Sequence, residues 1–371
     1  MPFADELLGT DAAHTLTEVI RAAHAETDAA ALSVASESLA PLPLRERADL
    51  LRDALLADVP GDYATLARVV RTAARSPEFT GWLIWPVTGA IAARAVADGS
   101  TAAFDDGMAL LAELTGRLTA EFAIRTMLRA DLGRALDHAR TWTSSDDPAV
   151  RRLASESTRL YLPWAVRVPA LARDTRCTIP ILDALYRDSD EVVRRSVANH
   201  LNDISRDNPA LVVETAERWL AQPADTTASV VRHALRTLVK RGDADALALL
   251  GFTAAALEVA GPVLDADSVP FGGTVRFTGS IRNAGAAVAR VAIDYVVFHR
   301  KANGTQTTKT FKLAARELAP WEVFTIDRAH SFRPITTRRY HPGAHAIALQ
   351  VNGARTEAAV FELLPDEHTA R

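Results

Sequence analysis

The chain has 371 residues, of which 48% are hydrophobic and 24% charged, the composition of an ordinary globular protein with two or three domains. One cysteine, Cys177, excludes an internal disulfide framework and a cysteine-based metal site. The formal charge of −4 hides an asymmetry: residues 1–124 carry a net charge of −9, residues 125–241 carry +4 and residues 271–355 carry +9, so two basic regions indicate a nucleic-acid partner.

The N-terminus, MPFADELLGTDAAH, lacks the basic segment and apolar core of a signal peptide, and no run of 18 apolar residues follows it. We therefore expect a cytoplasmic protein without a membrane partner. Residues 1–40 are rich in alanine and only weakly patterned, and they are predicted to be a helical extension.

From Leu44 onward, apolar residues recur with a helical period. The pattern predicts one helix from Leu44 to a stop at Val59-Pro60-Gly61 and a second from Tyr63 to about Arg75. Further helices are predicted at about 105–114 and 119–130. We interpret Trp82 and Trp85, in an apolar run broken by Pro86, as buried packing rather than a base-stacking surface.

A Val-Arg pattern opens three predicted helices. It stands at Val150-Arg151-Arg152, at Val193-Arg194-Arg195 and, more weakly, at Val231-Arg232-His233. The spacings of 43 and 38 residues are close to the two-helix HEAT or armadillo period of about 40 to 47 and longer than the ankyrin and TPR periods. The chain is therefore predicted to contain a HEAT-like α-solenoid.

The two stronger copies place carboxylates in equivalent positions. On a helical wheel, Glu156 and Asp203 both lie roughly 120° from the centre of their helix's apolar stripe, on the same side. Equivalent solenoid helices stack about 8 to 10 Å apart, so both carboxylates are expected to face one ligand. Pro163 should end the first helix near Leu162, which would present Trp164 from a loop.

After Gly251, helical periodicity gives way to alternation, as in Thr274–Thr278 and Val291–Val296. About seven strands separated by turn residues predict an immunoglobulin-like β-sandwich. We interpret Asn303-Gly304-Thr305 as a hairpin turn rather than a glycosylation site. The predicted domains are an extension at 1–40, a HEAT-like catalytic domain at 41–255 and the sandwich at 256–371.

Three motifs carry a family resemblance: ASESTRLYLPWA (154–165), TAEFAIR (119–125) and VRRSVANHLNDIS (193–205). They resemble the AlkC branch of the HEAT-like-repeat alkylpurine DNA glycosylases, many of which add an immunoglobulin-like domain. The resemblance covers roughly residues 40–250. The chain departs from the pattern at Ser157, usually Gly, and at Leu160 and Tyr161, usually Pro and Arg, so one phosphate contact is expected to be missing.

The resemblance implies a monofunctional DNA glycosylase that excises cationic alkylated bases, such as 3-methyladenine, from duplex DNA in base excision repair, without flipping the base into a pocket. It assigns catalytic roles to Glu156, Asp203 and Trp164, with Glu121 as a further acidic member. Such carboxylates would stabilise an oxocarbenium-like sugar, and Trp164 would attract a cation. No cofactor or metal is expected, and the enzyme is predicted to be a monomer, associated with the nucleoid when bound to DNA.

Basic residues supply candidate DNA contacts. They are Arg125, Arg129, Arg159, Arg167, Arg194 and Arg195 in the helical region, and Arg300, Lys301, Arg338 and Arg339 in the sandwich.

Structural roles remain open for the predicted catalytic residues. Glu156 could simply pair with Arg152 or Arg159, Asp203 could lie on a solvated face, Trp164 could cover a helix end, and Glu121 could compensate helix N-terminal charge. A non-catalytic scaffold and a DNA-lesion binder are the competing functions. The sequence has no GxxxxGK[ST], GxGxxG, HExxH or GxSxG motif, so it gives no support to nucleotide-binding, zinc-protease or serine-hydrolase functions.

Overall fold

A computed structural model describes residues 4–252, 256–336 and 338–366. It confirms the predicted fold class, in which helices precede a β-sandwich. The chain divides into two compact units: one runs to Val212 and includes Arg218–Ala234, and the other comprises Val213–Glu217 and the chain from Leu235 onward. The residues just before the sandwich join the second unit, where Thr310 and Gln350 both donate to the Lys240 carbonyl. The domain limits at 40 and 255 stay a prediction.

The α-helices, with short 3-10 turns at Gly81–Leu83 and Thr175–Thr178, are α1 (Ala4–Leu8), α2 (Thr10–Ala23), α3 (Ala30–Glu37), α4 (Leu44–Asp58), α5 (Tyr63–Ala73), α6 (Ile84–Asp98), α7 (Thr101–Leu114), α8 (Glu121–Ala130), α9 (Leu132–Trp142), α10 (Pro148–Glu156), α11 (Pro169–Arg173), α12 (Ile179–Leu185), α13 (Glu191–Ile204), α14 (Pro209–Ala221), α15 (Thr227–Ala234), α16 (Arg236–Arg241) and α17 (Ala244–Leu249). Among the residues described, none of these helices is long and apolar enough to cross a membrane.

The helices that carry the repeated pattern begin at side-chain caps. Asp147 accepts the Ala149 amide at the start of α10, and Asp190 accepts the amides of Val192 and Val193 at the start of α13. α10 packs against α13, and α13 packs against α15. The three Val-Arg helices are therefore neighbours in space, as the repeat spacing predicts.

The apolar stripe of α13 is fully buried, with Val193, Val197, Leu201 and Ile204 each at 0% exposure. By contrast, the prediction that the preceding repeat helix ends near Leu162 is wrong, because α10 ends at Glu156. The hydroxyls of Ser157 and Thr158 donate back to the carbonyls of Leu153 and Ala154, a side-chain competition that favours leaving the helix.

The strands are β1 (Leu257–Leu264), β2 (Ser268–Val269), β3 (Thr274–Asn283), β4 (Ala289–Arg300), β5 (Gln306–Leu318), β6 (Val323–Ser331), β7 (Gly343–Val351), β8 (Ala354–Arg355) and β9 (Ala359–Leu363). One sheet has the order β1-β3-β6, and the other has the order β2-β9-β7-β4-β5, with β8 paired to β7. Phe277 and Ile326 from the first sheet and Val297 and Ile347 from the second share one apolar core. Two of the nine described strands have only two residues, which is why the alternation pattern predicted about seven.

Two Asn-Gly turns, the first of them predicted above, are hairpin connections. Asn303-Gly304 lies between β4 and β5, and Asn352-Gly353 joins β7 to β8. Asn352 and Gly353 both have positive φ, at 43° and 84°, as the two central residues of a type I′ turn require. Asn and Gly adopt this conformation most readily, so the sequence signal here has a direct backbone cause.

Three histidines are buried in the sandwich core. His299 has its ring centroid 5.9 Å from those of His330 and His345, and the three residues are 3%, 7% and 0% exposed. Burial lowers the pKa of His299 to about 3 and that of His330 to about 4, and it also lowers the pKa of His345. Both ring nitrogens of His299 lack a hydrogen-bond partner among the described residues, so this ring is held by packing, whereas His330 Nδ1 bonds to the Tyr295 hydroxyl and His345 Nε2 to the His341 carbonyl.

We expect the sandwich to lose stability as the pH falls from 7 to 5. Unfolded histidines take up protons near pH 6.5, whereas the native rings of His299 and His330 do not until about pH 4, so protonation favours the unfolded chain over that window. Burial raises the pKa of Asp294 to about 6. The native carboxylate therefore takes up one proton between pH 7 and 5, and this uptake stabilises the folded state and opposes the loss. With His299 and His330 counted against Asp294, roughly 2 kcal/mol is lost by pH 5, measurable by calorimetry.

His299→Phe is the matched control, because it removes one titrating ring at a position without hydrogen bonds to lose. It should flatten the pH profile. A melting temperature that stays constant between pH 7 and 5 in the parent protein would contradict the prediction.

Candidate active site

Glu156 and Asp203 meet at one guanidinium. Glu156 is the last residue of α10 and Asp203 lies in the last turn of α13. Arg159 donates from Nη1 to Glu156 Oε1 at 2.6 Å and from Nε to Asp203 Oδ2 at 2.9 Å. The carboxylates are 6% and 3% exposed, so Asp203 is not on a solvated face. The flank geometry expected from the helical wheel therefore brings both acids to a single point.

A second arginine links Glu121 to this pair. Glu121 is the first residue of α8, and its Oε2 accepts from Arg152 Nη1 at 2.9 Å and from the Thr119 hydroxyl at 2.8 Å. Arg152 also lies 3.8 Å from Glu156. The three predicted acidic residues thus form one buried network with two arginines, with a formal charge of −1.

Hydrogen bonds keep the carboxylates in the acceptor state. Glu156 Oε2 accepts from the Ser196 hydroxyl at 2.6 Å. Burial raises the pKa of Asp203, and the opposing effects come from Arg159, Arg206 and the backbone N–H of Tyr161. Arg159 Nε donates to Asp203 Oδ2, so this oxygen is placed as a hydrogen-bond acceptor rather than as a proton donor.

Arg125 contradicts its predicted role as a phosphate contact. It is 1% exposed, and its guanidinium donates to the carbonyls of Ser157, Arg159 and Val166. Burial lowers its pKa to about 10. Arg125 therefore holds the irregular segment 157–168, which follows the end of α10, through hydrogen bonds to its carbonyls.

Trp164 projects from that segment. It is 58% exposed, so it does not plug a helix end, and its backbone has a φ of 60°, a conformation that residues other than glycine adopt rarely. Arg45 Nη1 donates to the Trp164 carbonyl at 3.1 Å. The sequence contains no signal for this contact, which crosses 119 residues of chain.

Trp164 and two of the three acids, Glu121 and Glu156, line the same recess of about 280 Å³. Its walls combine aromatic and apolar side chains with Glu121, Glu156 and Arg159; the full lining is Trp82, Leu118, Thr119, Glu121, Phe122, Glu156, Arg159, Leu162, Pro163 and Trp164. Trp85 is 9% exposed and stacks on Phe122 with centroids 4.8 Å apart. Trp85 is therefore a buried packing residue, as the sequence predicts, whereas Trp82 also forms part of the wall of the recess.

Some of the predicted DNA contacts are exposed, and others are already hydrogen-bonded to groups of the protein. Arg159 is 8% exposed and holds the two carboxylates, which contradicts its assignment to phosphate. Arg194 donates to the carbonyls of Asp188 and Ser189, at the end of α13 opposite to Asp203. The remaining helical candidates, Arg129, Arg167 and Arg195, are exposed.

In the sandwich, Arg300, Lys301 and Arg339 are exposed, but Arg338 is only partly exposed. Arg338 Nη1 is buried, and its charge helps to lower the pKa of His299 and His330. Arg338 is thus directed toward the histidine cluster. Among the residues described, no group of His, Cys, Asp and Glu is placed to hold a metal ion.

Comparisons with known proteins identify relatives of both parts of this chain. A family model described as DNA alkylation repair enzyme matches residues 118–238, and the C-terminal Ig-like domain model of the uncharacterised protein YhaZ matches residues 258–365. The YhaZ protein of Bacillus subtilis (strain 168) is 31% identical over 323 residues, which is 87% of this chain and 88% of YhaZ. A solved structure of Pseudomonas fluorescens alkylpurine DNA glycosylase AlkC, bound to DNA containing an abasic site analog, is 32% identical with a TM-score of 0.85, over 98% of this chain and 100% of AlkC.

Proposed function

The chain belongs to the AlkC-type family of DNA alkylation repair enzymes, and we propose that it is a monofunctional DNA N-glycosylase that excises cationic N-alkylated bases, such as 3-methyladenine, from duplex DNA in base excision repair. The observation that carries the proposal is the buried pair Glu156 and Asp203 on one guanidinium, with Glu156 lining the same recess as the exposed Trp164. It needs no cofactor.

Alkylation at N3 or N7 already gives the purine a positive charge. When the C1′–N bond breaks, its electron pair neutralises the base, and the positive charge passes to an oxocarbenium-like sugar. Water then adds to C1′ and loses a proton. Negative groups held in place near the sugar stabilise this charge most in the transition state, and Glu156 and Asp203 are the groups that we assign to this role.

Trp164 is assigned to the cationic base. Its ring attracts a cation by roughly 0.5 to 2 kcal/mol, and its exposure lets it reach a nucleotide at the protein surface. We propose that the base stays in the duplex during excision, unlike the substrates of enzymes that flip a base into an enclosed pocket. Glu121 adds a third negative charge to the same wall.

Exposed cations are proposed to hold the DNA backbone. They are Arg129, Arg167 and Arg195 in the helical unit and Arg300, Lys301 and Arg339 in the sandwich. The enzyme is proposed to bind double-stranded DNA as a monomer. A scaffold or a lesion binder would share these cations but would have no excision rate to lose.

Substrate range tests the mechanism. Glu121, Glu156 and Asp203 all accept hydrogen bonds from arginine, so the site offers no acid to protonate a neutral leaving base. We expect release of 3-methyladenine and similar cationic bases from methylated duplex DNA, and no release of uracil or hypoxanthine, with free bases measured by mass spectrometry. Efficient uracil excision would contradict this mechanism.

A further inference from the structure

Two exposed arginines lie over the ring of Tyr161. The guanidinium carbon of Arg167 is 4.3 Å from the ring centroid and that of Arg206 is 4.5 Å from it. The Tyr161 hydroxyl donates to the carboxylate of Asp207, with oxygens at 2.8 and 3.0 Å. Both guanidiniums therefore pack against the Tyr161 ring, and the Tyr161 hydroxyl anchors that ring to Asp207.

This cluster is joined directly to the active site. Burial raises the pKa of Asp203, and the backbone N–H of Tyr161 and the charge of Arg206 both act on this carboxylate in the opposite direction. Arg167 Nη1 donates to the Leu160 carbonyl at 3.1 Å. Arg206 thus acts on the carboxylate assigned to the sugar, and Arg167 is held at the residue before Tyr161.

A guanidinium that lies over a ring can still donate from its N–H edges, and Arg167 uses only a donor on Nη1 for the Leu160 carbonyl. Those donors match the oxygens of a phosphodiester in a planar, bidentate way that lysine does not reproduce. Arg125 and Arg159 are committed to carbonyls and carboxylates, so they are not available for this task. Asp207 reduces the cluster's charge to a formal +1, and the Tyr161 hydroxyl holds its carboxylate.

We infer that Tyr161, Arg167 and Arg206 form a phosphate clamp that grips the DNA backbone beside the nucleotide to be excised. Tyr161 acts as the platform that orders the two guanidiniums, and Arg206 is a DNA contact that the sequence patterns do not identify. This inference rests on the proposed function for its substrate. It also explains how the site can bind a backbone phosphate although position 161 holds no cation.

The test uses the full-length protein and the salt dependence of its dissociation constant for an undamaged duplex, measured by fluorescence anisotropy. Arg206→Ala is expected to weaken binding about tenfold at low salt and to reduce the slope of log Kd against log salt by about 0.9, the value for one phosphate contact. Tyr161→Leu should weaken binding severalfold, whereas Tyr161→Phe, which keeps the ring, should stay close to the parent.

Arg187→Ala is the matched control. Arg187 also stacks on a tyrosine, with its guanidinium carbon 4.8 Å from the Tyr186 ring centroid, but it precedes α13, about 20 Å along a 14-residue helix from Asp203. Its loss should leave affinity and salt slope unchanged. Thermal melting of each variant establishes that the fold is intact.

Excision of 3-methyladenine, measured on the same samples, separates the two proposals. If Arg206→Ala and Tyr161→Leu bind with the parent's affinity and slope while the parent releases base, the clamp is wrong and the glycosylase stands. If both variants lose affinity and slope but the parent releases no base, the clamp stands and the glycosylase proposal is wrong.

Discussion

We expect Glu156→Gln to slow the single-turnover release of 3-methyladenine by about 10²- to 10³-fold, in line with the loss of one preorganised electrostatic group at about 2.7 to 4 kcal/mol. The amide keeps the shape of the side chain: its oxygen can still accept from Arg159, and its NH2 group can donate to the Ser196 hydroxyl, the two groups that each lie 2.6 Å from the carboxylate. Only the negative charge beside the sugar is removed. Affinity for undamaged DNA should hold or rise, because one negative charge near phosphates is gone.

Asp203→Asn is expected to slow the reaction in the same way. The matched control is Asp188→Asn. Asp188 forms a buried ion pair with Arg151 at 2.7 Å, but it stands before α13, at the end opposite to Asp203. This control loses a comparable ion pair and should keep the parent's rate. If Glu156→Gln and Asp203→Asn both release base at the parent rate with unchanged thermal stability, these carboxylates belong to the structure and not to the chemistry.

Arg125→Met is expected to lower the free energy of unfolding by about 3 to 5 kcal/mol, because a buried group with several polar partners is lost and those partners remain. The carbonyls of Ser157, Arg159 and Val166 lose their donors together. For a unit of this size, such a loss corresponds to a drop of roughly 6 to 15 °C in melting temperature. The excision rate should also fall by a larger factor than the folded fraction does, since segment 157–168 carries Trp164.

Arg94→Met controls for the loss of an arginine that binds carbonyls. Arg94 donates to the carbonyls of Leu56, Val59 and Gly61, remote in sequence from the acidic network. It should destabilise the protein but keep the excision rate of the folded fraction. Melting temperatures and single-turnover rates of the two variants provide the comparison. A parent-like rate for Arg125→Met would mean that segment 157–168 keeps its shape without the guanidinium.

The meeting of Glu156 and Asp203 is predictable from the sequence because it depends on helix periodicity and repeat spacing alone. The partners of these acids are not. Arg159 lies three residues after Glu156 and could reach solvent, a phosphate or a carboxylate, and only the end of α10 at Glu156 turns it inward. Arg125 looks like a surface cation of α8 until the carbonyls of a segment more than 30 residues away surround it.

The same distinction holds in the sandwich. The alternation of β3 and β4 and the turn at Asn352-Gly353 are local properties, so they are visible in the sequence. The two-residue strands and the inward direction of Arg338 depend on contacts between distant segments. Local sequence patterns therefore predict the strands and turns. The partners of long polar side chains, which could bind many groups, are determined by tertiary packing.

The pairing of three carboxylates with Arg152 and Arg159 has a consequence for how lesions are found. A repair protein meets undamaged DNA far more often than damaged DNA, and bare carboxylates at its working surface would repel every stretch that it inspects. Here Glu121, Glu156 and Asp203 are almost neutralised by built-in counter-ions. The groups that the chemistry requires therefore add little to the electrostatic cost of the search.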